Sequence, residues 1–471
     1  VLHVSTRGEA PAISFTDALL AGLARDGGLY VPECWPALSR DAIAAFAGSR
    51  YAEVAKAVMG ALVDGEIAAP DLARMIAAAY APFRHPSVAP LVQIGDNLFV
   101  LELFHGPTLA FKDVAMRLLA QLMDHALKAR GGRATIVGAT SGDTGSAAVD
   151  AFTGLDQVDV FILYPHGRVS DVQRRQTTTV DAANVQAIAV DGTFDDCQAL
   201  VKAMFNHAGF RDALQLSGVN SINWARIAAQ TVYYFTAAVA LGAPHRPVSF
   251  SVPTGNFGDV LAGFVAKRMG LPVERLMVAT NANDILDRAL TSGRYEIRGV
   301  TPTTSPSMDI QVSSNFERLL FEANDRDAAA VRGLMAGLSQ SRSFAIAPEP
   351  LARIRRDFAS AAVDEETVAQ EMRRTYGAAG YLLDPHTAVG VHAGRALIDD
   401  DPRTPVIALS TAHPAKFPDA VERATGVRPA LPPHLAELMD RPERFARLAN
   451  DQAAVERFIR ERARVVTERA A

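Results

Sequence analysis

An α/β fold is predicted here, with two parallel-sheet lobes and an added, mostly helical N-terminal lobe. Three observations predict it. The chain has 471 residues, more than one hydrophobic core ordinarily serves. From about residue 90 onward, short apolar runs alternate with helical segments, the signature of βαβ units. Before that point the pattern is different: residues 14–84 are rich in Ala, Leu and Arg at helical spacing.

The elements follow in chain order. Asp26-Gly-Gly-Leu-Tyr-Val-Pro32 reads as a turn leading into a short extended piece, and the N-terminal lobe ends near His85-Pro86. Buried strands are expected at 135–139, 158–164, 185–190, 248–252, 276–280 and 406–410. Helices are expected at 144–152, 171–180, 195–207, 224–241 and 259–269. Residues 301–314 are dense in Thr, Ser and Pro and read as an irregular loop covering the site. The lobes are drawn at 1–90, at 91–125 with 225–425 (the larger), and at 126–224 (the smaller). A charged, helical and peripheral tail at 426–471 completes the chain.

Composition narrows the function. Hydrophobic residues make up 49% and charged residues 21%, a globular balance. A formal net charge of -5 gives no electrostatic reason to expect nucleic acid or an anionic membrane as partner. Cys34 and Cys197 are far apart and lack metal-ligand spacing, so they read as free thiols of a reducing compartment, with no metal site. The first residues show no charged-then-apolar signal pattern, and the longest smooth apolar stretch, 232–241, is too short for a bilayer. A cytoplasmic protein, monomer or weak homodimer, is expected.

Parallel sheets bind ligands beyond the carboxyl ends of their strands, so the loops there carry the chemistry. In His105-Gly-Pro-Thr-Leu-Ala-Phe-Lys112-Asp113, a lysine stands at a loop-to-helix junction. Helix N-termini disfavour a second positive charge, and desolvation favours the neutral, nucleophilic amine. Taken alone, such a lysine more commonly just solvates a helix start. Gly138-Ala-Thr-Ser-Gly-Asp-Thr-Gly145 and Val252-Pro-Thr-Gly-Asn-Phe-Gly-Asp259 each place glycines and N–H groups before a helix, which suits an anion. Each also reads as a tight turn capped by Asp143, Thr144 or Asp259. Ser410-Thr-Ala-His-Pro-Ala-Lys-Phe417 offers a neutral hydroxyl, Thr411, for a ring nitrogen, and places His413 and Lys416 where they could contact substrate. Asn220-Ser-Ile-Asn-Trp-Ala-Arg226 gathers amides, a hydroxyl and a guanidinium, suited to a phosphate ester or to helix capping with a surface arginine.

Together these motifs resemble threonine synthase. The resemblance runs nearly end to end, through Ser5-Thr-Arg-Gly8, Asp26-Gly-Gly-Leu-Tyr30, Glu102 to Asp113, Ala139 to Gly145, Asn220 to Asn223, Thr254 to Asp259 and Thr411 to Phe417. The long N-terminal lobe and the His-Pro-Ala-Lys-Phe ending look like the bacterial and fungal long-form subgroup. The resemblance implies pyridoxal-phosphate fold type II, tryptophan-synthase-β-like.

By that similarity, Lys112 forms the Schiff base with pyridoxal 5'-phosphate and later acts as base. Gly255, Asn256, Phe257 and Gly258 hold the cofactor phosphate, Asp259 closes that loop, and Thr411 faces the pyridine nitrogen. Thr140, Ser141, Asp143 and Thr144 bind the substrate α-carboxylate; Ser221, Asn223, Arg226 and Lys416 take the substrate phosphate. The implied reaction converts O-phospho-L-homoserine and water to L-threonine and phosphate. A serine or threonine dehydratase, a cysteine synthase and a non-catalytic descendant are the rivals. Asp113 is expected to pair with Arg117 one turn on, and His105 to order the loop before Lys112.

Overall fold

The computed structural model describes residues 1–465; the last six residues of the expected helical tail lie outside the described residues. Two sheets organise the chain. The larger has six strands in the order Phe358–Ala362, Val273–Thr280, Val248–Pro253, Val406–Ser410, Leu98–Glu102 and Leu91–Gly95. All neighbours are parallel except the last pair, a hairpin. Strand residues point alternately to opposite faces, and the core divides accordingly. Leu101, Ile407, Phe250 and Val278 face helices Lys112–Ala129, Trp224–Ala240 and Gly258–Arg268. Val100, Ala408 and Met277 face helices Glu365–Ala379 and Pro385–Asp400. With both faces covered, the strands are continuously apolar, which is why they were visible as runs.

The smaller sheet has five parallel strands: Ala446–Ala449, Val185–Asp191, Val158–Pro165, Ala134–Ala139 and Leu216–Ser217. Its first strand corrects the reading of 426–471 as a helical, peripheral tail. Ala446–Ala449 extends the sheet edge, and Arg464 bonds the Asp159 carboxylate. Leu435 and Leu438 pack on Leu109, just before Lys112. Among the described residues of that stretch, Gln452–Arg462 forms a regular α-helix.

In the N-terminal region, helices Phe15–Ala21, Arg40–Ala44, Tyr51–Val63 and Ala69–Tyr80 accompany an antiparallel pair, His3–Ser5 with Tyr30–Pro32. Two sequence motifs meet there. Asp26 accepts hydrogen bonds from the Ser5 hydroxyl and from the N–H groups of Glu9, Ala10 and Gly28. Gly28 lies so close to Ser5 that a side chain there would collide with it.

Candidate active site

Lys112 is the first residue of helix Lys112–Ala129, beyond the end of strand Leu98–Glu102. The loop before it is zipped to the loop after strand Val406–Ser410: Phe111 N–H donates to Thr411 O (2.8 Å), and His413 N–H to Leu109 O (3.0 Å). This ties the lysine to Thr411. Lys112 is 9% exposed, and its ammonium lies 3.4 Å from Ser307 Oγ and 3.7 Å from Asp143 Oδ2. Burial lowers its pKa; Asp143 opposes the shift, and the charges of Arg226 and Lys416 add to it.

Asp113 does not pair with Arg117. It is fully buried and accepts from Thr108 N (2.8 Å) and Thr108 Oγ1 (2.6 Å), while Arg117 bonds Asp150 and Ala79 O. Burial, reinforced by the charge of Asp150, pushes the Asp113 carboxyl up to about 7. Gly106 packs directly on that carboxyl, so the Gly-Pro turn needs its glycine. His105 bonds Glu102 Oε2 at 2.7 Å, anchoring the loop's other end.

The turn at Gly255 to Gly258 is a cradle. Phe257 is left-handed (φ 62°), and helix Gly258–Arg268 starts immediately after. The carbonyls of Gly255 and Asn256 are taken by Ser313 Oγ (2.7 Å) and by Asn315 N (3.1 Å). In a planar trans peptide the following N–H groups then face away from those partners, and N–H groups at a helix start suit an anion. A Cβ on Gly255 would lie 2.9 Å from Ser307 O, so the turn fits only as glycine. Asp259 does not close this loop. Its Oδ1 accepts from the Tyr233 and Tyr234 hydroxyls between two helices, and burial pushes its carboxyl up to about 7.

In the Gly138–Gly145 turn the roles also divide. Helix Asp143–Phe152 starts with Gly142 as cap (φ 154°), so neither Asp143 nor Thr144 caps it. Thr140 Oγ1 accepts from Gly142 N (3.0 Å) and Gly145 N (2.9 Å), shaping the turn rather than facing a ligand. Asp143 is ion-paired to Lys416 at 2.8 Å and accepts from Gln173 Nε2 at 2.8 Å. Burial opposes its ionisation, yet Lys416 and Lys112 outweigh burial and hold the carboxyl well below its ordinary range. An ionised carboxylate has no proton to donate to a substrate carboxylate. Ser141 is exposed and Thr144 half-buried at that helix start, whose N–H groups suit an anion.

Two further assignments are corrected. Asn223 is the N-cap of helix Trp224–Ala240; its Oδ1 accepts from Ala225 N and its Nδ2 donates to Leu19 O (2.9 Å), which uses both ends of the amide. Lys416 is 0% exposed and donates to Asp143, to Thr108 O (2.6 Å) and to Gln176 Oε1 (3.1 Å), leaving no donor for a phosphate. Arg226 is the opposite case. It is buried, gives one bond, to Val219 O (3.1 Å), and its Nε has no partner among the described residues. Burial draws its guanidinium down to about 10. Ser221 is half-buried nearby in sequence, its carbonyl held by Asn315 Nδ2 (3.2 Å).

Several residues of the site escaped the sequence. Ser307 faces Lys112 from the 301–314 loop, which Asp309 pins by accepting from Thr303, Asn281 and Asn283. His386 Nε2 accepts from Ser307 N (3.3 Å), and its Nδ1 is held by Asp384 (2.8 Å). Asp384-Pro385 carries a helix-start signal, a capping Asp before Pro, that could have marked this segment.

A buried amine at a helix start, a glycine turn whose carbonyls are already partnered, and Thr411, 6% exposed and tied through its carbonyl to the lysine loop, fit pyridoxal phosphate. Fold and site together define a pyridoxal-phosphate-dependent enzyme. Comparison agrees: residues 83–411 match the family model "Pyridoxal-phosphate dependent enzyme", residues 2–80 "Threonine synthase N terminus" and residues 387–459 "Threonine synthase, C-terminal". The chain belongs to the threonine synthase family. It is 52% identical to the threonine synthase of Pseudomonas aeruginosa, covering 97% of each chain, and 45% identical to that of Saccharomyces cerevisiae, covering 90% and 89%. Among solved structures, the PLP-bound threonine synthase of Brucella melitensis superposes with TM-score 0.97 at 60% identity, covering 98% of this chain and 99% of that one. The Escherichia coli enzyme gives TM-score 0.82 at 35% identity, with 98% and 100% covered.

Proposed function

We propose that the chain converts O-phospho-L-homoserine and water to L-threonine and phosphate. The observation that carries this reading is a buried Arg226 whose Nε has no partner among the described residues, close enough to Lys112 to bear on its protonation. Arg226 stands on helix Trp224–Ala240 and is not part of the Gly255–Gly258 turn. One phosphate belongs to the cofactor and the other to the substrate.

When bound, pyridoxal phosphate supplies an electron sink for charge developing at the substrate α-carbon. The residues of the chain do the rest. Lys112 anchors the cofactor and, once released, takes the α-proton on Nζ; its burial lowers the pKa of the amine, in the direction that this needs. The N–H groups of the cradle hold the cofactor phosphate. Thr411 offers the ring nitrogen a hydroxyl rather than a carboxylate, which leaves that nitrogen largely unprotonated. Ser141 and Thr144 take the substrate carboxylate, and Arg226, with Ser221, takes the phosphate that leaves.

The division into lobes at 1–90, 91–125 with 225–425, and 126–224 belongs to the same reading, with 446–449 joined to the smaller lobe. So does a cytoplasmic monomer or weak homodimer. It is supported by two free cysteines, by the absence of any helix long and apolar enough to cross a membrane among the described residues, and by scattered exposed apolar side chains.

The test is phosphate release from O-phospho-L-homoserine, set against ammonia release from serine and threonine. Phosphate release dominates if the reading is right. Lys112→Ala abolishes it while leaving the circular dichroism spectrum intact. Wild-type release by that variant overturns the assignment.

A further inference from the structure

Asp143 poses a problem that the family reading does not solve. A carboxylate 3.7 Å from the catalytic amine stabilises its ammonium form, the form that cannot take a proton. It also stands in a turn that must admit a substrate carboxylate. The structure answers both with Lys416, which reaches in from the loop after strand Val406–Ser410. Its ammonium is fully buried and its donors are all used: on Asp143 Oδ1 (2.8 Å), Thr108 O (2.6 Å) and Gln176 Oε1 (3.1 Å). Gln173 Nε2 claims the same Oδ1 at 2.8 Å, so Oδ2 is the oxygen left toward Lys112. Gly142, at φ 154°, packs against the Gln173 amide and leaves that side chain little room to swing away.

We propose that Lys416 is a positioning residue for the catalytic lysine: it neutralises Asp143 and fixes which oxygen faces Lys112, so that the amine is oriented without being locked as an ammonium. This rests on the reading of Lys112 as the base. The groups bearing on Lys112 are Asp143 on its helix, Lys416 on the facing turn, Arg226 on helix Trp224–Ala240, Ser307 on the covering loop and the Phe111 ring 5.4 Å away. Of these, Asp143 is the only anion, so its effective charge governs the balance.

The inference predicts opposite signs for two single variants. Lys416→Met leaves Asp143 to pair with Lys112 alone, so the ammonium is stabilised. The acid limb of the holoenzyme's kcat profile moves up by about one pH unit or more, a tenfold loss on that limb. Asp143→Asn removes the counter-charge and moves the same limb down. The double variant Asp143→Asn/Lys416→Met carries a neutral pair and brings the limb back from the Lys416→Met position, by at least half the shift. Apoprotein gives an independent readout: trinitrobenzenesulfonate labelling of Lys112, located by peptide mass, slows in Lys416→Met and speeds in Asp143→Asn.

Shifts of one sign in both variants, or no shift in either, overturn the proposal and leave Lys416 a purely structural ion pair. Should Lys416→Met fail to fold, the neutral double variant against Asp143→Asn decides it, because removing Lys416 from an uncharged site should move the limb up from the Asp143→Asn position. Failure of the Lys112 reading is separately visible, as phosphate release surviving Lys112→Ala.

Discussion

Asn315→Ala should weaken substrate and cofactor binding together. Asn315 backs the Asn256 turn and the Ser221 segment at once: its Nδ2 donates to Ser221 O (3.2 Å) and Asn256 O (3.0 Å), and its Oδ1 accepts from Arg318 Nη1. Alanine deletes two neutral hydrogen bonds, ~1 kcal/mol each, and one charge-assisted bond, ~1.5–3 kcal/mol. The backbone N–H of Asn315 still serves Asn256 O, and Arg318 keeps Tyr30 O (2.9 Å) and Ile222 O (2.6 Å). The net loss is therefore about 3 kcal/mol, inside the ~5–15 kcal/mol of an ordinary folded domain. If about half falls on each loop, the Michaelis constant for phosphohomoserine and the cofactor dissociation constant each rise about tenfold. Steady-state phosphate release and equilibrium dialysis of pyridoxal phosphate measure the two, and urea unfolding gives the global loss. A rise in the Michaelis constant with unchanged cofactor affinity would refute the strut, because Asn315 would then not hold the Asn256 turn.

Three further outcomes are expected. Arg226→Ala raises the substrate Michaelis constant more than it disturbs cofactor affinity; equal loss of both, by the same two assays, would assign Arg226 to the cofactor or the fold. Gly255→Ala drives a Cβ to 2.9 Å from Ser307 O and 3.3 Å from Met308 Cα, both backbone, and cofactor affinity falls about tenfold, whereas Gly258→Ala meets nothing nearer than 3.5 Å and changes it less than about threefold; fluorescence titration separates them. Burial raises the Asp259 carboxyl to about 7, so the folded state binds the extra proton and stability declines as pH rises from the ordinary carboxylate range to about 7. Asp259→Asn flattens that decline, as read from melting temperatures between pH 5 and 8.

What was legible in the sequence was local. The strands Val248–Pro253 and Val406–Ser410 announce themselves because both faces are covered, and their end loops carry Gly255 and Thr411 within a few residues. What failed was partner choice. Asp113 and Arg117 have helical spacing, but Asp113 lies on the buried side against Thr108, and Arg117 reaches Asp150 on another helix. Lys416 is a plausible phosphate ligand until Asp143, 273 positions away, is seen to occupy it. Periodicity tells which face a residue takes, and no spacing rule says what stands opposite. The Asp384–His386–Ser307 chain was missed for the same reason, although its capping Asp was in plain view.

The N-terminal lobe is part of the site's construction rather than an appendage. Arg7 grips both oxygens of Glu317 (3.1 and 3.0 Å), and Thr6 Oγ1 donates to the same carboxylate at 2.6 Å. The next residue, Arg318, is 1% exposed, lies over the Trp224 ring and takes the carbonyl of Tyr30. Thus the Ser5-Thr-Arg-Gly and Asp26-Gly-Gly-Leu-Tyr motifs, folded onto each other through Asp26, fasten the start of helix Phe316–Ala323. That start carries Asn315, which joins the cofactor turn to the Ser221 segment. Burying the Arg318 guanidinium costs solvation, which draws its pKa down to about 9, and the three oxygens it meets offset that cost only in one arrangement of lobe and helix. The spacing between the Gly255–Gly258 turn and the Ser221 segment is therefore set partly by residues that belong to neither.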